Sequence, residues 1–236
     1  MSARISIPAE PHDWPVTGPA SPSKVALVVI DLQHDFVSDE GWFARTIGRD
    51  VSNVRVAVPV VASILAAARR VPRLRVVHTR QGNAADLSDL PDAKRAQGRV
   101  AGVPIGDPGP LGRGLVRGER GWEIVPEVAP ADGERIVDKP GFGAFTGTDL
   151  DPWLRRQGVR ALVLTGATAN VCVLSTLYQA VDLGYDCLTV PDAIAGIDPA
   201  TTETVCDLIR YQGGLFGSLA PADVVRRAME TVERAD

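Results

Sequence analysis

The chain has 236 residues, of which 45% are hydrophobic and 23% charged, and its formal net charge is −4. These values are typical of a globular domain and exclude a disordered, collagen-like or coiled-coil chain. The sequence contains no basic run and no basic stretch interleaved with aromatic residues, which excludes the surface typical of nucleic-acid or membrane-surface binders. We therefore expect a small molecule as the partner.

The N-terminal segment and the cysteines both indicate the cytoplasm. Residues 1–15 contain Pro, acidic residues and His rather than a basic start followed by an apolar run, so no secretory signal is expected. No apolar run approaches the ~20 residues that span a membrane. The cysteines, Cys172, Cys187 and Cys206, form no CxxC pair and are odd in number, as is typical of a reducing compartment.

The hydrophobic pattern predicts strands that alternate with helices. The Pro- and Ser-rich residues 1–24 are expected to form an arm on the surface or against another subunit, and residues 25–236 a single domain. Val25–Ile30 is a continuous β-branched run, which predicts a strand buried on both faces. Further strands are predicted at 74–78, 135–138, 159–164 and 187–190, and helices at 54–70, 149–157, 172–183, 201–211 and 221–233.

This alternation predicts a doubly wound, mainly parallel α/β sheet with helices on both faces, which binds ligands beyond the carboxyl ends of its strands. Between residues 79 and 133 the periodicity is weak and Gly and Pro are frequent. Loops of this length in a compact domain usually cover a functional site or form subunit contacts.

Polar side chains stand at or just beyond the carboxyl ends of three predicted strands. Asp31 follows the first strand, Lys139 the third, and Cys172 comes shortly after the fourth, at the start of a helix. The carboxyl ends of parallel strands lie at one edge of a sheet, so we expect these side chains to meet there. A helix N-terminus and an ammonium stabilise a thiolate, and a carboxylate can take the thiol proton and return it to a departing amine. The sequence therefore predicts a cysteine nucleophile that cleaves an amide C–N bond.

Each of these residues also has a structural interpretation. Cys172 could be a small buried residue, Asp31 a cap of a helix or turn, and Lys139 a surface charge at a strand end. Cys187, within a strand, and Cys206, within a helix, are predicted to be core thiols. The functional alternative to an enzyme is a binding protein of the same fold without turnover.

Other catalytic classes lack their sequence signatures. Residues 163–172 resemble a dinucleotide-binding turn, but Ala169 and Cys172 occupy positions where that turn needs glycine. No GxSxG motif occurs, so the nucleophile elbow of serine hydrolases is missing. The three histidines have no ligand spacing on one element, and we predict neither a metal nor another cofactor.

Three blocks of sequence resemble the isochorismatase-like cysteine hydrolases: VIDLQHDF at 29–36, DKPG at 138–141 and TGATANVCV at 165–173. The blocks occur in the order of that family, and the resemblance covers nearly the whole chain. It implies a three-layer fold around a six-stranded sheet, a catalytic triad of Asp31, Lys139 and Cys172, and a homotetramer. It also implies a cis peptide between Ala167 and Thr168, which would direct the backbone N–H groups of Thr168 and Cys172 at the oxyanion.

Within that family the chain is similar to biuret hydrolase and related ureide amidohydrolases, for example in QGGLFG at 212–217. The similarity implies that Gln212 hydrogen-bonds the substrate, although a glutamine before two glycines could instead cap its helix. Phe36 and Phe145 are further candidates for the pocket wall. The implied reaction is hydrolysis of biuret to allophanate and ammonia through a thioester, with ureidoacrylate, triuret or another N-carbamoyl amide as the alternative substrate.

The chain departs from this branch at four positions. Gln81 and Asn83 stand where the branch usually has Glu and His, Ala169 replaces a common Thr, and Phe142 replaces a basic residue. These changes leave the triad intact but alter the loops that select a substrate. The sequence therefore leaves the choice among ureides and amides open.

Overall fold

A computed structural model describes residues 3–233, and a six-stranded sheet forms its centre. In chain order the strands are β1 (Val25–Ile30), β2 (Arg75–Gln81), β3 (Pro108–Gly109), β4 (Gly112–Arg113), β5 (Arg135–Lys139), β6 (Ala161–Ala167), β7 (Asp186–Ala195) and β8 (Ser218–Leu219). The sheet has the strand order β5-β2-β1-β6-β7-β8, and all neighbours in it pair in parallel. Strands β3 and β4 form a separate antiparallel hairpin. The predicted parallel α/β fold is confirmed.

The α-helices in chain order are α1 (His34–Val37), α2 (Trp42–Arg45), α3 (Ser52–Arg55), α4 (Ala57–Arg70), α5 (Asp92–Val100), α6 (Leu150–Arg156), α7 (Leu174–Asp182), α8 (Pro199–Gly214) and α9 (Ala222–Glu233). Short 3₁₀-helices lie at Pro22–Lys24, Arg120–Trp122 and Pro126–Val128, and a π-helical turn, Ala169–Val173, precedes α7. Inside α8 the backbone departs from helical geometry at Tyr211, Gln212 and Gly213.

Two hydrophobic clusters, one on each face of the sheet, make the three layers. Successive side chains of a strand point to opposite faces, so β1 contributes Leu27 to one cluster and Val28 to the other. The first cluster includes Val61 of α4 and Met229 of α9, and the second includes Leu177 of α7. Burial on both faces explains why β1 is a continuous apolar run.

Contrary to the expectation from the sequence, the segment Ser52–Arg70 is long and apolar enough, by length and composition alone, to cross a membrane. In the structure one face of the segment packs in the core, where Val61, Ile64 and Leu65 are buried in the first hydrophobic cluster. This is the burial pattern of a core helix packed on a sheet.

The described part of the N-terminal arm packs on its own chain. Ile5, Ile7 and Trp14 are buried in the first hydrophobic cluster. The backbone of Glu10 exchanges two hydrogen bonds with Leu219, at 2.9 and 2.7 Å. The arm therefore pairs with β8, the strand at the edge of the sheet, and satisfies backbone groups that an open edge would expose.

The structure differs from the predicted elements in several places, two of which concern strands of the central sheet. Strand β2 runs to Gln81, three residues beyond the predicted end, because its polar residues pair with β5 at the carboxyl edge of the sheet. The residue pattern did not indicate β8, since two residues are too short for a strand periodicity.

Candidate active site

The ends of β1 and β5 bring Asp31 and Lys139 into contact at the carboxyl edge of the sheet. The Lys139 Nζ atom lies 2.7 Å from Asp31 Oδ2, and both side chains are fully buried. Cys172, which follows β6, is 2% exposed. The three side chains lie near enough for the charges of Asp31 and Lys139 to act on the pKa of the thiol. Lys139 is thus a buried charge and not the surface lysine of the alternative interpretation.

Asp31 is held by the neighbouring strand. Its backbone leaves β1 with φ 46°, in the left-handed region that Asp tolerates better than most residues. The Thr79 hydroxyl of β2 donates a hydrogen bond of 2.6 Å to Asp31 Oδ1, while the other carboxylate oxygen faces Lys139. These contacts fix the direction of the carboxylate.

Lys139 is fixed by the loop that follows β5. Its ammonium donates to the carbonyl oxygens of Gly141 at 3.0 Å and Phe142 at 2.6 Å. Burial by itself lowers the pKa of an ammonium, but attraction to the Asp31 carboxylate, with a further contribution from Cys172, outweighs that effect and raises the pKa of Lys139. The lysine therefore stays charged and pairs with the Asp31 carboxylate beside the thiol.

Cys172 lies within the π-helical turn that joins β6 to α7. The carbonyl of Thr168 accepts from Val171 N at 3.1 Å and from Val173 N at 3.2 Å, so the helical turn starts earlier than predicted. The peptide bond between Ala167 and Thr168 is cis, as the resemblance implied. A backbone hydrogen bond from Thr168 lowers the pKa of the thiol.

Burial opposes the stabilised thiolate that the sequence analysis expects at Cys172. Burial is the largest influence and raises the pKa of Cys172, Lys139 lowers it, and the Asp31 carboxylate raises it, with a result of about 12. The neutral Sγ donates a hydrogen bond of 3.1 Å to Gln81 Oε1. The arrangement suits a thiol that loses its proton to Asp31 as it attacks.

Gln81 is a site residue whose role the sequence did not reveal. It is 3% exposed and faces Cys172 from the end of β2. Gln33 fixes its backbone, since Gln33 Oε1 accepts from Gln81 N at 2.7 Å and Gln33 Nε2 donates to Gln81 O at 3.0 Å. The position was visible in the sequence only as a departure from the glutamate expected there.

A cavity of about 310 Å³ opens beside Cys172, at the small end of the range for ligand pockets. Aromatic and aliphatic side chains dominate its wall, with polar groups at a few points. It is lined by Phe36, Trp42, Phe43, Gln81, Lys94, Gln97, Gly98, Ala101, Val103, Ile105, Leu115, Phe142, Thr168, Val171 and Cys172. Phe36 and Thr168 thus lie where the sequence analysis expected them.

The buried carboxylate of Asp35 connects two segments of this wall by hydrogen bonds. Asp35 Oδ2 accepts from Leu115 N at 2.8 Å, and Asp35 Oδ1 accepts from Trp42 N at 3.3 Å. Burial raises the pKa of Asp35 although these backbone donors oppose the shift. Asp35 thereby ties together two segments that line the cavity.

Two of the predicted substrate-contacting residues do not line this cavity. Phe145 belongs to the second hydrophobic cluster, where its ring stacks on Tyr185 with centroids 5.6 Å apart. Gln212 is exposed in the irregular part of α8, with φ 51°. The ring of Phe145 therefore packs in the core. A contact between Gln212 and a substrate stays a prediction.

The remaining thiols and potential metal ligands lie outside this arrangement. Cys187 and Cys206 are buried in the second hydrophobic cluster, as predicted for core thiols. Within residues 3–233, no group of three or more His, Cys, Asp or Glu side chains is placed so that it could hold a metal ion.

A parallel α/β fold with an acid, an ammonium and a thiol at the carboxyl edge of its sheet defines the class of the cysteine hydrolases. The sequence profile described as the isochorismatase domain matches residues 25–220, and the chain belongs to that family. The resemblance drawn from the three sequence blocks is confirmed.

Relatives with known names agree with this assignment. The ureidoacrylate amidohydrolase RutB of Klebsiella pneumoniae subsp. pneumoniae is 29% identical over 199 residues, which are 83% of this chain and 82% of that protein. The crystal structure of an isochorismatase family protein from Desulfovibrio vulgaris is 30% identical, with a TM-score of 0.71 over 88% of this chain and 98% of that one. A cysteine hydrolase from Pseudomonas syringae pv. phaseolicola has the same fold, with a TM-score of 0.76 at 24% identity over 91% of this chain and 96% of that one. The predicted class, a hydrolase of C–N bonds other than peptide bonds, is confirmed.

Proposed function

We propose that this chain is a metal-independent cysteine amidohydrolase that cleaves the C–N bond of a small ureide or N-carbamoyl amide through a thioester. The observation that carries the proposal is the fully buried ion pair between Asp31 and Lys139 beside Cys172, which itself lines the cavity. Burial of an ion pair costs free energy because both charges lose their hydration. Such pairs in a cleft are frequent at functional sites.

In the first step the Cys172 thiol passes its proton to Asp31 as the sulfur attacks the substrate carbonyl. Because burial raises the pKa of the thiol, we expect the proton transfer to Asp31 to accompany the attack. Lys139 compensates the negative charge that moves from carboxylate to sulfur. The backbone N–H groups of Thr168 and Cys172 are the proposed donors to the oxyanion.

The second step expels the amine. Collapse of the tetrahedral intermediate breaks the C–N bond, and the proton held by Asp31 goes to the departing nitrogen. A ureide whose carbonyl stands between a free amino group and a substituted nitrogen thus gives an S-carbamoyl cysteine and the substituted amine. Asp31 then activates water, which adds to the same carbon and releases the carbamic acid and the thiol.

Ureides are the substrates we favour within this reaction class. The RutB relative is named for ureidoacrylate, a ureide with a carboxylate, and the family resemblance also indicated ureides. Biuret is a narrower expectation that depended partly on Gln212, which is exposed and does not line the cavity beside Cys172. The cytoplasmic location and the homotetramer stay predictions.

The proposal is tested with two matched variants, Cys172→Ala and Cys206→Ala. Both residues are buried thiols, but only Cys172 lines the cavity. Product release from ureidoacrylate, biuret, triuret and simple amides should fall by about 10³-fold or more in Cys172→Ala. Cys206→Ala should keep the turnover of the wild type. Retained turnover in Cys172→Ala would overturn the mechanism.

A further inference from the structure

Lys94 is the one charged side chain among the described residues that line the cavity beside Cys172. It stands on α5, whose residues carry no strong apolar pattern and whose side chains are all at least partly exposed. Aliphatic and aromatic residues such as Phe36, Phe43 and Val103 line the same cavity. Because Lys94 is only partly exposed, its ammonium loses part of its hydration in this wall, which costs free energy. A bound anion would offset that cost.

Lys94 has no acidic partner within ion-pair distance in the part of the chain that the structure describes. Its ammonium donates to the carbonyl oxygen of Pro140 at 2.5 Å and lies 4.7 Å from the centroid of the Phe142 ring. These contacts hold the side chain at the cavity, and neither of them supplies a negative charge. The Lys139 ammonium, by contrast, is neutralised by Asp31 at 2.7 Å.

The electrostatics of Lys94 agree with this geometry. Burial lowers the pKa of Lys94, and repulsion from Lys139 lowers it further, while attraction to Cys172 and Asp89 opposes the shift. Attraction to an anion bound nearby would offset both unfavourable influences. Cys172 is among the groups that influence the pKa of Lys94, and both residues line the same cavity.

We propose that Lys94 binds a carboxylate of the substrate, so that the enzyme takes ureides or amides with a carboxylate separated from the scissile C–N bond by a short apolar spacer. This inference rests on the proposed function and names its substrate class. The apolar wall accommodates the spacer, and Lys94 selects the charged end. A neutral ureide such as biuret offers no group for this lysine.

The test compares ureidoacrylate with its methyl ester, which have nearly the same shape and differ in charge. Lys94→Met keeps the apolar stem and removes the charge, and Lys94→Arg keeps the charge. For Lys94→Met we expect kcat/KM for ureidoacrylate to fall by about ten- to a hundredfold, mainly through KM, because a hydrogen bond to a charged group is lost. The ester should lose less than about twofold, and Lys94→Arg should recover most of the activity on the acid.

Equal losses for the acid and the ester in Lys94→Met would overturn the inference, because they would indicate a structural role through Pro140 or an effect on the thiol. A wild-type enzyme without preference for the acid would overturn it as well and leave the proposed function standing. If neither compound is cleaved and Cys172 is never acylated, the proposed function fails. Calorimetric titration of Cys172→Ala with both compounds then decides the inference separately: tighter binding of the acid that Lys94→Met abolishes supports it, and equal binding overturns it.

Discussion

Lys139→Met tests how strongly the charges of Asp31 and Lys139 in the buried ion pair stabilise each other. The substitution keeps most of the apolar stem but leaves the Asp31 carboxylate without the ammonium that lies 2.7 Å away. Both side chains are 0% exposed, so water cannot replace the lost partner without rearrangement. Breaking a buried pair on one side costs about 3–5 kcal/mol. Because single domains are stable by about 5–15 kcal/mol, this is a large share of the total.

The second half of the cycle removes the other charge. Asp31→Asn alone leaves Lys139 buried without its counter-charge and should also be strongly destabilising. The double variant Asp31→Asn/Lys139→Met contains neither charge, so its loss should be smaller than the sum of the single losses by about 2–3 kcal/mol.

Urea denaturation at pH 7 and fixed protein concentration, followed by tryptophan fluorescence, measures all four proteins. The catalytic assay should show no ureide turnover in any of the three variants, whatever their stability. Additive losses in the double variant would refute the coupling and with it the interpretation of this pair as a compensated buried charge.

Two further predictions concern the strand that carries the site and the pH range of stability. A Cβ at Gly166, where φ is 113°, would lie well inside the van der Waals distance of the carbonyl oxygen of Ile30, so Gly166→Ala should cost about 3 kcal/mol in urea unfolding. Gly133→Ala, at φ 84° with open space around it, should cost only the backbone contribution, and equal losses would contradict the clash. Burial alone raises the pKa of Glu134, but hydrogen bonds, led by that from Arg69, lower it to about 2. The stabilising contribution of Glu134 is therefore fully present above the unfolded pKa, near 4.5, and is lost as the pH falls towards 2. In Glu134→Gln the free energy of unfolding should depend less on pH between these values. An unchanged slope would contradict the lowered pKa of Glu134.

The sequence was sufficient to predict the positions of the central triad. Asp31 follows a continuous apolar strand pattern, and Lys139 follows a shorter strand pattern. Because the carboxyl ends of parallel strands lie at one edge of a sheet, both residues are expected there. Cys172 could be placed on the same edge because an apolar strand and an apolar helix surround it. Local pattern and topology indicate these positions, while the assignment of a triad came from the family resemblance.

The wall of the cavity could not be predicted in the same way. Helix α5 has the sequence DAKRAQGRV and buries none of its residues, so it has no apolar face that a periodicity could reveal. The role of Lys94 depends on the loop after β5 and on the segments that Asp35 ties together. The order of neighbours around a cavity is a tertiary property, and for the same reason the core position of Phe145 was not visible.

The protonation of the thiol also depends on the whole fold. The helical turn and Lys139 act to lower the pKa of Cys172, and the sequence made both influences visible. Burial acts more strongly in the opposite direction, and the degree of burial follows from the packing of several segments. The same residues therefore support attack by a neutral thiol assisted by Asp31.

The formation of a covalent bond at Cys172 is the most direct measurement of the central claim. The enzyme is mixed with excess ureidoacrylate, quenched in acid within the first turnovers, digested and analysed by mass spectrometry. We predict a carbamoyl group on the peptide that contains Cys172, none on the peptides of Cys187 and Cys206, and loss of the adduct in Asp31→Asn. Turnover with no adduct on Cys172 at any quench time, together with full activity of Cys172→Ala, would contradict the account.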